Sequence, residues 1–359
     1  MRDLARVLGL NVATISRALR NEHNVAQGTK ERVHGAAREM GYQWDPSASQ
    51  AYASLRVKRP LKCSPVLGLI TAYQGEAEWR ANPYFVRFME HIGSRAAQLG
   101  YKVEAFSVKT PGMSSRRLTN ILRARGISGL IIAPDLRSGG HLSLDLSHFA
   151  SAACTNVVWR PKLHRVEPHI FQSTLLALRH LSRLGYRRVG MASFWGHDRE
   201  CGHQGAAAYR HAEAMGSIAE PLPLHVERGF GGPEFQGWVE KHRPEAIFAT
   251  HPDAMIKALK ALNLRIGLDI GVASMAATPG LGEWAGINPH ADKIDAAVVD
   301  LVVEQINRNE RGTPEHPRIV LVEGSWVSGP TVRDVRDRKV KGEGARPPQR
   351  PIKSLGNPG

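Results

Sequence analysis

From residue 66 to residue 309 short apolar runs alternate with amphipathic stretches, which restricts the fold more than any other feature of this chain. The apolar runs fall at 66–72, 103–108, 129–133, 152–159, 189–193, 222–226, 246–250, 270–275 and 285–288. Stretches with helical spacing lie between and after them, at 84–99, 118–125, 171–184, 205–215, 235–241, 254–262 and 292–309. Apolar strands alternating with helices specify an α/β fold, with parallel sheets covered on both faces. The pattern restarts near residue 152, so two similar Rossmann-like lobes are expected. Such sheets take small molecules at the carboxyl ends of their strands, which predicts a ligand cleft between the lobes.

The first 42 residues differ. They read as three short helices. Leu4, Ala5, Val7 and Leu8 make the apolar stripe of the first, and Gly9 stops it. Asn11 is a good N-cap type, and Val12, Ile15, Ala18 and Leu19 follow it at helical spacing. The third helix is expected to start near Thr29, with Glu31 in its first turn complementing the helix dipole. Its stripe is Val33, Ala36, Ala37 and Met40, closed by Gly41. Two short helices joined by a Gly-containing turn, with a third across them, make a helix-turn-helix unit.

Charge supports a polyanion partner. The net charge is +15, and residues 1–60 and 331–359 carry +5 each, leaving only +5 for the 270 residues between. A basic end on a near-neutral body suits nucleic acid. Residues 43–60 are small, polar and basic, bracketed by Pro46 and Pro60, and read as a hinge. The last 29 residues are rich in Pro, Gly, Arg and Lys and read as a disordered tail. No run of about 18 apolar residues occurs, so no membrane span is expected. The N-terminus mixes charged and apolar residues unlike a signal peptide. Cys63, Cys154 and Cys201 are few and scattered, which suits a reducing cytoplasm rather than a disulfide framework.

Residues 2–21, Arg-Asp-Leu-Ala-Arg-Val-Leu-Gly-Leu-Asn-Val-Ala-Thr-Ile-Ser-Arg-Ala-Leu-Arg-Asn, resemble the headpiece of LacI/GalR-type transcriptional regulators. Thr29 to Val33, Ala36-Ala37 and Gly41-Tyr42 are similar to that family's third helix. Further along, Asn82-Pro83-Tyr84-Phe85, residues 126–134, Leu184 to Gly190, Asn309 to Pro314 and Gly324 to Arg333 resemble successive motifs of its sensor domain. The resemblance spans residues 1–333. It implies a helix-turn-helix headpiece at 1–44, a hinge at 45–60 and a periplasmic-binding-protein-like, two-lobed effector-binding and dimerisation domain at 61–333. The basic tail at 334–359 follows.

The implied function is transcription regulation, most commonly repression, by a homodimer on double-stranded DNA with a pseudo-palindromic operator. In such a module the second helix enters the major groove, which assigns base contacts to Val12, Ala13 and Arg17. An Arg binds guanine bidentately, while Val and Ala meet a thymine methyl. Asn11, Thr14, Ser16, Arg20 and Thr29 suit phosphates. In the resembled family the hinge wedges an apolar residue into the minor groove. Here the usual leucine position holds Ala51, followed by Tyr52, with Leu55 nearby and Trp44 where a proline is common. The headpiece also begins late by the family's pattern, so either translation starts upstream of Met1 or some phosphate contacts are lacking.

The resemblance places Ala72, Tyr73, Phe85, Pro134, Trp159, Arg199, His251 and Asn288 around the effector, which is expected to be sugar-like. Arg199 suits hydroxyl binding, and Trp159, Trp195 or Trp284 suits stacking on a sugar ring. Three departures reduce the acceptors: His169 replaces a frequent Asp, His251-Pro252 a usual Asn-Asp, and Ser274-Met275-Ala276 lacks an Asp.

Rival readings are weaker. Walker A, Gly-x-Gly-x-x-Gly, Gly-x-Ser-x-Gly and His-Glu-x-x-His patterns are missing, so neither an enzyme nor a cofactor is expected. His197, Cys201 and His203 have no further cluster at zinc-like spacing, so no metal is expected. A transporter's solute-binding protein would carry a signal peptide and no headpiece. An effector-independent DNA-binding regulator with a degenerate cleft is the remaining alternative.

Overall fold

The computed structural model describes residues 2–11, 14, 15, 18, 25–40, 65–134, 140–155, 160–228, 232–280 and 283–336. The elements in chain order are α1 (Arg2–Leu8), α2 (Gln27–Glu39), β1 (Val66–Thr71), α3 (Glu76–Arg80), α4 (Pro83–Gln98), β2 (Lys102–Ser107), α5 (Ser115–Ala124), β3 (Gly129–Ile132), β4 (Ala150–Cys154) and β5 (His164–Pro168). They continue with α6 (Ile170–Arg183), β6 (Arg188–Phe194), α7 (Trp195–Glu200), α8 (Gln204–Ala214), β7 (Glu220–Pro221), β8 (His225–Glu227), α9 (Pro233–His242) and β9 (Ala246–Ala249). Last come α10 (Pro252–Ala261), β10 (Gly271–Ser274), β11 (Ala285–Asn288), α11 (Ala291–Arg308), β12 (Ile319–Val322) and β13 (Ser325–Val327). The chain divides into two compact units, Met1–Arg165 with Asp295–Arg318, and Val166–Ile294 with Ile319–Gly359.

The N-terminal helices of the first unit have their own core. Leu4, Ile15, Ala18 and Val33 are buried there with Ala5, Val25 and Ala37. Val7 does not join them and is 64% exposed. At about 100° per residue Leu4, Ala5 and Leu8 share one arc, and Val7 falls off its edge. Met40, also expected in the stripe, lies one residue beyond α2 and is exposed. The start of α2 also differs from the expectation. Thr29 and Lys30 N–H groups both donate to Ala26 O, so Thr29 sits inside the first turn rather than capping it. Glu31 then lies past the first turn, where it accepts from the Gln27 side-chain amide. Burial of Val25 in the core fixes where the chain enters this helix, and that outweighs the capping preference of Thr29.

The sheet of the first unit runs β2-β1-β3-β4 with every pairing parallel, and β5 follows β4 in the strand order. One face packs on α5 through Leu118, Leu122, Leu130 and Phe149. Helix α11 closes on Gly129, where an added Cβ would lie 2.6 Å from Val302 Cγ1. Only glycine allows that approach. The expected run at 152–159 is shorter and earlier: β4 pairs with β3 from Ala150 and stops before Thr155, whose φ is 65°. This strand therefore continues the first unit's sheet instead of restarting the pattern, and the next helix is α6 after β5.

In the second unit the order is β13-β11-β10-β9-β6-β7, with β8 also on β6 and only β13 antiparallel to its neighbour. Helices α6 and α8 cover one face around Leu178, Leu181 and Tyr209; α9 and α10 cover the other around Phe235, Trp238 and Leu259. The single strand expected at 222–226 is split into β7 and β8. The buried Tyr209 hydroxyl accepts from Leu222 N–H at 2.9 Å and lies 2.9 Å from Val189 O, occupying the ladder position between the two pieces. Strands β12 and β13 had no counterpart in the apolar pattern; β12 exposes Ile319, Val320 and Leu321, and β13 has three residues.

Candidate functional site

Two sets of residues concern function. The first is the headpiece turn. Helix α1 ends at Leu8, Gly9 takes φ 63°, and Leu10 N–H donates to Ala5 O at 3.0 Å. That left-handed C-terminal cap reverses the chain within two residues, and glycine adopts it without strain. Asn11 O then accepts Ile15 N–H at 3.0 Å, starting the next helical turn. Asn11 is exposed, while Thr14 and Thr29 are partly exposed. Val12, Ala13, Ser16, Arg17, Arg20, Ala51 and Tyr52 lie outside the described residues.

The second set lies at the carboxyl ends of the parallel strands, where open α/β sheets hold ligands. In the first unit, Ala72 and Tyr73 follow β1 and Pro134 follows β3. Asn82 caps α4, its Oδ1 accepting from Tyr84 N–H and Phe85 N–H, and its amide donates to the Tyr73 hydroxyl at 2.9 Å. The Tyr73 and Phe85 rings meet edge to face at 4.7 Å. Ala72 and Phe85 are buried, whereas Tyr73 and Pro134 retain partial exposure.

In the second unit, Arg199 lies on α7 after β6, His251 at the start of α10 after β9, and Asn288 at the end of β11. Pro252 occupies the first position of α10, where its missing N–H costs nothing, and His251 makes no side-chain cap. The His251 ring instead meets His197 at 5.4 Å, with its Nδ1 3.2 Å from Thr250 Oγ1. Asn288 Oδ1 accepts from His290 N–H and Ser274 Oγ from Ala276 N–H. His169 caps α6, its Nδ1 accepting from Gln172 N–H at 3.5 Å. Trp159 lies outside the described residues.

His197 Nε2 lies 3.5 Å from Cys201 Sγ, but His203 Nδ1 lies 2.6 Å from Asp198 Oδ2 instead of joining them. Burial pushes the Cys201 thiol up to about 12, with Glu167 adding to the effect. Among the described residues no group of three His, Cys, Asp or Glu is placed to hold a metal ion.

Of the candidate tryptophans, Trp284 donates its indole N–H to Asp253 Oδ1 at 3.0 Å. Trp195 is 43% exposed and borders a cavity of about 600 Å³ that Val226, Glu227, Arg228 and Glu234 also line. Sequence reasoning missed Glu227 and Arg228. The available signal was their position just past the apolar run at 222–226, at the carboxyl end of a strand.

Residues 1–45 match the family described as "Bacterial regulatory proteins, lacI family". That match covers the N-terminal segment of the chain, which is similar to the DNA-binding part of lacI-family regulators. Among similar proteins, the HTH-type transcriptional repressor PurR of Haemophilus influenzae is 22% identical over 346 residues, 89% of this chain and 94% of the relative. Two solved structures share the fold. The lac repressor dimer bound to operator and the anti-inducer ONPF matches with TM-score 0.53 and 18% identity, over 92% of this chain and 98% of that one. The transcriptional regulator CelR in complex with cellobiose matches with TM-score 0.54 and 16% identity, over 91% of this chain and 98% of that one.

Proposed function

We propose that this protein is a LacI-family, sequence-specific DNA-binding transcriptional repressor, and not an enzyme, whose hold on DNA is set by a small ligand at the carboxyl ends of its sensor strands. The observation that carries this reading is the family match of residues 1–45, on a segment where Gly9 and Leu10 build the reversal between two helices. The repressor name of the PurR relative supports the direction of control. Operator in the lac repressor structure and cellobiose in the CelR structure support the two kinds of partner.

Within this reading residues 1–44 form the headpiece, 45–60 the hinge and 61–333 the sensor, with the basic tail after it. Val12, Ala13 and Arg17 read base edges; Asn11, Thr14, Ser16, Arg20 and Thr29 hold phosphates. Ala51 and Tyr52 approach the minor groove. Tyr73, Arg199, His251 and Asn288 contact the ligand, while Ala72 and Phe85 support Tyr73 from the core; Pro134 and Trp159 complete the set. The protein acts as a homodimer on a pseudo-palindrome, with a sugar-like effector and no cofactor or metal, in the cytoplasm where the chromosome lies.

Selection of bound genomic fragments by the full chain tests the DNA reading. A shared inverted-repeat sequence is expected, and recovery of fragments without any common sequence overturns it. Titrating that operator complex with a carbohydrate panel tests ligand control, since an effector-independent regulator would keep one affinity throughout.

A further inference from the structure

Between Glu104 and Asp135 the chain holds five basic residues, Lys109, Arg116, Arg117, Arg123 and Arg125, and no acidic one. Residues 61–330 carry a net +5, so residues 105–134 hold all of it and the remainder of 61–330 is neutral. This stretch folds as the end of β2, then α5, then β3. At about 100° per residue, Arg116, Arg117, Asn120 and Arg123 share one arc of α5, and all four are exposed. Leu118 and Leu122 face the other way and are buried. Lys109, in the loop before α5, is exposed as well.

The fold takes up only part of this charge. Arg125 pairs with Glu104, and its guanidinium lies 5.6 Å from the Phe106 ring centroid. Arg116, Arg117 and Arg123 make no ion pair among the described residues. Asp145 feels the charge of Arg123, yet its carboxylate takes its hydrogen bonds from Ser147. Nor does α5 gain from the placement. Arg116 and Arg117 stand in its first turn, which has no acidic residue and where the helix dipole disfavours cations. The charges therefore suit an external anion. A protein partner would need apolar or aromatic anchors. The large apolar side chains exposed among the described residues include none between 105 and 134. Duplex DNA needs only cations at its phosphates, and guanidinium groups match phosphate oxygens bidentately.

We infer that this face of α5 is a second DNA contact, which binds the sugar-phosphate backbone through Arg116, Arg117 and Arg123. It reads no base edges, so it adds affinity without adding specificity. It goes beyond the headpiece reading above and can be tested without an operator.

The test is fluorescence anisotropy of the full chain with a random-sequence duplex of about 60 base pairs, between about 50 and 200 mM salt. Wild type is compared with a triple variant, Arg116→Gln, Arg117→Gln and Arg123→Gln. A control, Lys241→Gln, Lys257→Gln and Lys260→Gln, removes the same charge from exposed positions of α9 and α10. Each lost phosphate contact flattens the log–log salt slope by about 0.9. The α5 variant is expected to be shallower by about 2–3 and to bind about tenfold or more weakly at the low-salt end, while the control keeps the wild-type slope. Circular dichroism checks that both variants fold. An unchanged slope in the α5 variant, or equal flattening in the control, overturns the inference. Poly-glutamate is the second probe. If wild type binds it more tightly than the duplex and the α5 variant does not, the face belongs to an acidic protein and the inference also falls. Flattening without a shared sequence among selected genomic fragments means that the headpiece reading has failed and this one stands. A shared sequence without flattening means the reverse.

Discussion

The Asn82 side-chain amide donates to the Tyr73 hydroxyl at 2.9 Å while its Oδ1 accepts the first backbone N–H groups of α4. One side chain thus starts a helix and fixes an aromatic ring at the end of β1. Asn82→Ala is expected to lower stability by about 1 kcal/mol in urea denaturation, the usual worth of an N-cap. Asn82→Ser keeps a capping oxygen and should recover most of that loss without restoring the hold on Tyr73. Identical midpoints for wild type and Asn82→Ala would show that the cap contributes nothing.

Two side-chain contacts join α4 to α11, and burial ranks them. His91 Nδ1 meets the buried Asp295 carboxylate at 2.8 Å, whereas Arg95 Nε meets the half-exposed Asp300 at 2.7 Å. His91→Ala takes one partner from a buried carboxylate, at an expected cost of about 1–3 kcal/mol. Arg95→Ala loses an exposed pair worth at most about 1 kcal/mol. Denaturation of both variants checks the order, and a larger loss in Arg95→Ala would reverse it.

His164 Nδ1 accepts the Arg318 backbone N–H at 2.8 Å, a bond only the neutral ring can make. Burial lowers its pKa below the ordinary 6.5, and Arg318 lowers it further. The unfolded chain therefore takes up the proton first as pH falls. The stability contribution is complete above the unfolded value and declines as pH drops from it towards the folded value. Melting temperatures measured between about pH 8 and pH 5 should fall at the acid end, and His164→Asn should show a shallower fall. Parallel curves for the two proteins would remove His164 from the effect.

Burial raises the thiol pKa of both Cys154 and Cys201. The thiolate is the reactive species, so neither should react with a disulfide reagent at neutral pH while folded. In a Cys63→Ser protein, both thiols should become titratable only with denaturant. Rapid native modification of either would contradict the burial seen here.

Arg17 is assigned to a base edge by the family resemblance. Arg17→Ala should weaken binding to the selected operator by about 1–3 kcal/mol and relax preference at one position. Equal loss on operator and on random DNA would make Arg17 a phosphate contact instead.

Much of this was legible before any coordinates. The βα alternation depends on residue types that repeat locally, so most strands and helices fall within two residues of their expected bounds. Two of the exceptions have a tertiary cause. Thr29 lost its capping place to the burial of Val25, and the run at 222–226 was divided by the Tyr209 hydroxyl. Both decisions come from residues distant along the chain or buried in a shared core.

The sequence by itself determined the α/β alternation and the helical N-terminal segment with its lacI-family resemblance, because periodicity and ordered motifs survive without knowledge of contacts. Tertiary structure alone decided how the strand-end residues divide between support and exposure. Phe85 went into the core beside Tyr73, and Trp195 emerged with its ring 5.3 Å from the Arg199 guanidinium and 5.8 Å from that of Arg228. Arg228 is remote from Trp195 in sequence, and only the pairing of β8 with β6 brings its charge to that ring.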